Sequence, residues 1–450
     1  MNAARAAALA LALASTGARA HAVQERYDLP LPLVYVIAGG CLTVVLTFVA
    51  AALFARQRSA VPARDRTVAV PHELLIFTRS LGLLVFLLVL ATALWGTRDP
   101  LMNLAPTMVW IVGWLGLSLA CALVADVWPL FDPWRTLHAG GRKLLHRADT
   151  RTASSWPVRI GVWPAVVLLL AWSWTEVVDP RASTPGWLAT LLVAWTVVNV
   201  GGMLAFGRAA WQAHADLFAV VFATFGRMAL LRLAVDEARP PLPTAGLAAL
   251  VMALLATVIF DGLHGASVWG VVDTAVHRVV PARLDANGFM AGAAGLLAVW
   301  LAFLLLYTVA LRASLALMGP ARRDPTLAAR LAITLVPIAA AYHLAHNFST
   351  LVLQGQRVVA LLSDPFGRQW NVLGTARFYP DIGWLDARVT WVIATAAIVL
   401  GHALSIWWSH RVVLAAGVAR QRAAVALVPL TLLMVAFTAL SLVLLSALDG

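Results

Sequence analysis

The sequence predicts an all-α, polytopic integral membrane helix bundle of about ten spans behind a cleaved signal peptide. Three observations predict it. The 450 residues are 61% hydrophobic and 12% charged, whereas a soluble domain is about a quarter charged. Apolar runs of about 20 residues, the length that crosses a bilayer, recur along the whole chain. Basic residues gather between those runs and alternate in density from one loop to the next, as topology determinants do.

The first twenty residues, "MNAARAAALALALASTGARA", carry one Arg, an Ala/Leu stretch and small residues up to Ala20. This is the pattern of a secretory signal peptide, too short and alanine-rich for a span. The division expected is therefore a signal peptide over 1–20 and one multi-span domain over 21–450. Cleavage after Ala20 leaves His21 first, where its amine and imidazole could grip copper; cleavage after Ala22 discards it.

The spans read from apolar length fall near 31–55, 74–96, 104–128, 158–178, 186–206, 244–264, 289–312, 328–352, 389–409 and 425–446. A cleaved signal puts the mature N-terminus outside and fixes the alternation. The loops then expected inside hold 21 Lys and Arg, against 8 in those expected outside. This is the direction of the positive-inside rule. The location implied is the bacterial inner membrane, multi-pass, with both mature ends outside the cytoplasm. The net charge of +12 is spread over these loops, so no nucleic-acid partner is expected; the partners are lipid bilayer and a hydrophobic small molecule.

Two segments break the pattern. Residues 207–237 are apolar but interrupted by His214, Asp216, Arg227 and Arg232, which reads as an interfacial or re-entrant helix with His214 and Asp216 on its solvated face. Residues 363–387, rich in Gly, Pro, Asp and aromatics, read as an ordered loop placed to cap a cavity. The only cysteines, Cys41 and Cys121, lie inside apolar runs and cannot make a thiolate metal site or a disulfide framework.

Ionisable groups within a span cost roughly 2.5–3.5 kcal/mol each and so face protein or water. In "AYHLAHNFSTLVLQGQ" (341–356), His343, His346, Asn347, Thr350 and Gln354 fall on one helical stripe. In "TVIFDGLHGAS" (257–267), Thr257, Asp261 and His264 share a face at the same depth. Two helices thus each offer two ligands in the manner of bundle-core metal sites. Asp261, His264, His343 and His346 are the expected ligands of a divalent metal, zinc or manganese by their chemistry. Haem is the weaker alternative, with His402 a further axial candidate. A polar seam between helices is the bland reading of the same stripe.

The corner "VADVWPLFDPWRTL" (124–137), with Asp126, Asp132 and Arg135, reads as a structural turn at the membrane interface. Glu176 and Asp179 are expected near water at a span end. Serine-hydrolase, zincin and NTPase motifs are absent from the sequence. Below Tyr342 the eighth span reads "LAITLVPIAAA", which offers little to line a path across the membrane and favours a closed site.

Taken as a set, "HAVQERYDLPLPLVYVIAGG", "DVWPLFDPWRTL", "AYHLAHNFSTLVLQGQ" and "SDPFGRQWNVLGT" resemble a family of bacterial membrane proteins known as fenitrothion hydrolases. The resemblance runs from the mature N-terminus to the ninth span and transfers no catalytic residue. It implies hydrolysis of organophosphorus triesters with release of a nitrophenol. On that implication a metal at the four ligands would activate water, with Asn347, or Trp370 and Asn371, beside the substrate. The alternative is a transporter or a metal- or haem-handling membrane protein.

Overall fold

The computed structural model describes residues 32–55, 67–144, 156–235, 244–278, 280, 285 and 287–447. Residues 1–20, expected to be a signal peptide, His21 and several of the loop arginines lie outside the described residues. What is described is an all-α bundle. Among the described residues, nine helices are long and apolar enough to cross a membrane, and Trp163–Val177 is a shorter apolar helix beside them.

In chain order the helices are α1 Leu33–Phe54, α2 His72–Trp95 and α3 Leu104–Leu123, then the corner helix α4 Pro133–Leu144. α5 Trp163–Val177 and α6 Pro185–Phe206 follow, then the short pair α7 Arg208–His214 and α8 Leu217–Phe225. α9 Leu247–Gly265, α10 Val268–His277 and α11 Phe289–Leu317 come next. The run Leu327–Ser363, called α12, has Val336–Gln356 as its central helix. α13 Ala387–Ala415 and α14 Arg420–Ala447 complete the bundle. Two three-residue strands, β1 Thr67–Ala69 and β2 Arg232–Ala234, pair in parallel.

Hydrogen bonds tie the connecting segments into two opposite ends. At one end the Thr97 N–H donates to the Phe366 carbonyl and the Trp110 indole N–H to the Ala182 carbonyl. At the other, the Leu231 N–H donates to the Val124 carbonyl, Val162 N–H to Ala245, and the Arg420 guanidinium to Leu53. These are the two sets of loops that the alternation of spans predicts.

Two local departures shape the interior. α3 contains a ten-residue π-helix, Thr107–Gly116, a rare form that recurs at functional sites. It sets Trp110 and Trp114 against Trp172 of α5, with ring centroids 4.7 and 6.0 Å away. Within 207–235, α8 is almost wholly buried, whereas Arg227, Leu230, Arg232 and Ala234 beyond it are exposed. Phe218 and Phe222 of α8 sit in the core, packed on Trp114 and Trp128. Asp216 is not on a solvated face: it is fully buried and its Oδ1 accepts the Ala219 N–H to cap α8. His214 is half-buried, stacked on Trp156.

The corner at 124–137 has the structural role expected of it. Asp132 accepts the backbone N–H groups of Trp134 and Arg135 through Oδ1, while its Oδ2 accepts from Gln212 at 2.6 Å.

Candidate functional site

Three helices bring the ionisable groups together. α9 places Asp261 just before its last turn, and α12 places His343, His346 and Asn347 on the face opposite. The Nε2 of His346 lies 2.8 Å from Asp261 Oδ2, so in the neutral tautomer that nitrogen donates and Nδ1 bears the lone pair. Gly262 lies beside the pair: a Cβ there would sit at ordinary contact distance, 3.4 Å from Tyr342 Oη and 3.8 Å from His346 Nδ1. Both of those atoms are buried and without a hydrogen-bond partner among the described residues.

The third contribution comes from α5. Glu176 and Ser173 join Thr257, Asp261, His343, Asn347 and Trp114 around a polar cavity of about 20 Å³. That volume holds about one water molecule. The Trp114 indole of the π-helix stands against the Glu176 carboxylate, and its ring meets the His343 ring edge-on at 5.9 Å. Phe225 of α8 covers the other face of His343. His343 is buried, with Nε2 unpartnered among the described residues. Asn347 donates from Nδ2 to the His343 carbonyl at 3.2 Å, which fixes its carboxamide on the same stripe.

No known protein family, curated protein or solved structure matches the chain.

Of the residues singled out in the sequence, Asp261, His343, His346 and Asn347 come together. His264 is turned aside: its ring packs between Phe260 and Trp269, with centroids 5.6 and 5.0 Å away. Among the described residues no group of three or more His, Cys, Asp or Glu is arranged to hold a metal ion. With His346 Nε2 engaged by Asp261, the four-ligand set is not assembled in this arrangement.

Trp370 and Asn371 line neither this cavity nor any other described here. Trp370 is exposed beside Phe366. Asn371 Oδ1 is used within the loop, accepting from Ser363 Oγ and from the Ala376 N–H. The 363–387 loop covers the end of α2 and the start of α3, with Gly367 (φ 64°) pressed on Thr97 and the Met102 carbonyl.

Glu176 lies at the end of α5 as expected, half-buried, but it lines the cavity instead of facing water alone. Asp179, by contrast, is buried and paired with Arg181 at 2.9 Å. The signal for Glu176 was present: it lies three residues after Ser173 on the face that also carries Trp172.

A second polar series lies outside the site. On α13, His402, Ser405, Ser409 and His410 are all buried, and Ser409 shares a 2.7 Å hydrogen bond with Thr334 of α12. The sparse lining read from "LAITLVPIAAA" is thus supplemented by the neighbouring helix.

Proposed function

We propose that the chain is a multi-pass protein of the bacterial inner membrane that hydrolyses neutral, lipid-soluble organophosphorus triesters at the Glu176–Asp261–His343 cavity. The observation that carries this reading is that two carboxylates and an imidazole from three helices line one water-sized polar cavity inside an apolar bundle. The arginine asymmetry supports the orientation, with both mature ends outside the cytoplasm and the cavity in the outer half.

In this reading Asp261 is the general base. His346, donating to its Oδ2, is a positioning residue that holds the carboxylate in one orientation. Asp261 Oδ1 takes a proton from the water as the water oxygen bonds to phosphorus. The phosphorus–aryloxy bond breaks, and the aryloxide departs with its electron pair. A nitrophenolate needs little help from an acid. The cavity has room for the attacking water alone. The triester therefore sits at its open edge, where the Asp261 side chain is accessible, with Asn347 toward the phosphoryl oxygen and His343 and Glu176 flanking the water. Base catalysis of this kind contributes about 10²–10⁴-fold. The zinc or manganese expectation enters as the competing way to activate the same water, for which Asp261 and His346 would have to part and His264 to turn in.

The deciding experiment is nitrophenol release by the purified, detergent-solubilised chain, wild type beside the His343→Ala/His346→Ala double variant. Activity lost in a variant that still elutes as a monodisperse folded species supports the site. Activity that survives in it sinks the assignment, and no turnover in folded wild type sinks the hydrolase reading.

The second reading, a transporter or proton-transfer protein, is favoured by the buried α13 series. His402 and His410 each have Nδ1 within hydrogen-bond distance of a carbonyl four residues back, at 2.8 and 3.1 Å, and Nε2 unpartnered among the described residues. Proton flux in sealed vesicles that disappears in His402→Ala would establish it.

A further inference from the structure

Five side chains that carry oxygen line the polar cavity: Ser173 and Glu176 of α5, Thr257 and Asp261 of α9, and Asn347 of α12. On α5 and α9 the two members lie three and four residues apart, the spacing that puts both on one helical face. Their hydrogen bonds leave acceptors over. His346 engages Asp261 Oδ2 and leaves Oδ1. The Thr257 hydroxyl donates to the Leu254 carbonyl at 3.4 Å and keeps its lone pairs. Asn347 donates through Nδ2 to the His343 carbonyl, so Oδ1 is its remaining acceptor. Ser173 is 2% exposed and lines the cavity, yet its hydroxyl has no hydrogen-bond partner among the described residues.

The lining supplies little to meet these acceptors. It contains two carboxylates and neither Lys nor Arg. Its donors are the Trp114 indole, which stands against Glu176, and the His343 ring. A water molecule can serve some of the acceptors but brings no charge, and ionised groups inside a membrane are held by partners of opposite sign. What the cavity lacks is a small cation, and the donor set decides which. Soft metals call for thiolate or imidazole, and among the described residues no group of three or more His, Cys, Asp or Glu is arranged for one. Calcium takes 6–8 oxygens and magnesium keeps several waters. Here each carboxylate already has one oxygen engaged, and about 20 Å³ admits a single small species. Sodium, a small, hard monovalent ion, fits both limits. It has a way in, because 38% of the Asp261 side chain remains accessible.

We infer that this cavity is a sodium site, with Ser173, Glu176, Thr257, Asp261 and Asn347 as its oxygen ligands. Sodium and the hydrolytic water exclude each other there. The inference goes beyond the hydrolytic reading and does not rest on it, because binding is measured with no triester present.

The test uses sodium alone. The full chain, purified in choline chloride and held in phosphatidylcholine nanodiscs, is titrated with radioactive sodium at constant ionic strength. Saturable binding that approaches one ion per chain is expected. Unlabelled sodium displaces it, and equal concentrations of potassium or calcium do not. Ser173→Ala and Thr257→Val each remove one oxygen while nearly keeping the shape and both carboxylates. Each is expected to weaken binding about tenfold or more, the scale set even by groups that only orient a metal's ligands. Glu176→Gln, which removes a charge, is expected to abolish it. Variants are compared only where thermal unfolding in choline matches wild type, and either hydroxyl variant replaces the other if one does not fold. Exchanging choline for sodium is then expected to raise the unfolding temperature of wild type and not of Glu176→Gln. Binding that does not saturate, or that potassium or calcium displaces equally well, overturns the inference. So does binding that survives unchanged in the folded variants. Nitrophenol release is assayed separately in choline, so the hydrolytic reading and the sodium site stand or fall apart.

Discussion

His346 Nε2 and Asp261 Oδ2, 2.8 Å apart, form a polar link between α9 and α12 beside the cavity that Thr257, His343 and Asn347 also line. The imidazole is nearly buried, with 9% of its side chain exposed, whereas 38% of the Asp261 side chain remains accessible. The histidine thus fixes the carboxylate while one edge of it stays open to water.

Removing either partner separates structural from catalytic roles. Asp261→Ala leaves a buried imidazole N–H without its acceptor, and is expected to lower stability by about 1–3 kcal/mol. Asp261→Asn keeps an acceptor for His346 but cannot take a proton. It is expected to remain close to wild type in thermal unfolding while triester hydrolysis falls by about 10²-fold or more. Equal losses of stability in both variants would reduce the pair to helix packing.

Chelation distinguishes the two ways of activating water. With Asp261 as base, protein stripped by a membrane-permeant chelator retains its rate of nitrophenol release. Loss of the rate, restored by stoichiometric zinc or manganese, would instead draw Asp261, His264, His343 and His346 together as ligands and require His264 to leave Trp269. Elemental analysis of the stripped and reloaded samples completes the comparison.

The spans were legible because length and apolarity alone specify them; their ends were set by contacts that hydropathy does not encode. The fourth was expected from 158, yet α5 starts at Trp163. Gly161 (φ 50°) must turn the chain where a Cβ would lie 2.1 Å from the Ala245 carbonyl oxygen. The link between Asp261 and the His343/His346 stripe was legible in part, since helical periodicity puts each set on one face at one depth. Periodicity could not show which ring turns inward, and Trp269 on the next helix takes His264. Nor could it bring Glu176 inside. That depends on Trp114, presented by a π-helical turn that no spacing rule predicts.

The α12–α13 contact is tight enough to test. A Cβ on Gly401 would meet Ala341 Cβ at 2.4 Å and the Pro337 carbonyl oxygen at 2.7 Å. One methyl there must push the helices apart, and Gly401→Ala is expected to cost about 1–3 kcal/mol, as overpacking does. Ala341→Gly in the same chain removes the closer of the two contacts and is expected to recover part of the loss. Thermal unfolding of the single and double variants in one detergent reads both effects.

At the loop end of the bundle, α10 carries a pH-sensitive contact outside the spans. His277 Nε2 lies 3.2 Å from the Asp285 carbonyl oxygen, and Nδ1 lies 2.9 Å from the Asp273 carbonyl oxygen and 3.4 Å from its carboxylate. Both nitrogens face acceptors, so only the doubly protonated ring satisfies them together. Hydrogen bonding to Asp285, then to Asp273, outweighs slight desolvation and raises the pKa above the ordinary 6.5. A raised folded-state pKa means that the stabilisation is fully present below 6.5 and is lost as pH rises through the higher, folded value. Amide protection across 268–278, corrected for the intrinsic pH dependence of exchange, is therefore expected to fall over that interval in wild type. In His277→Gln, which does not titrate, it is expected to stay flat. Parallel curves for the two proteins would assign any loosening to another group.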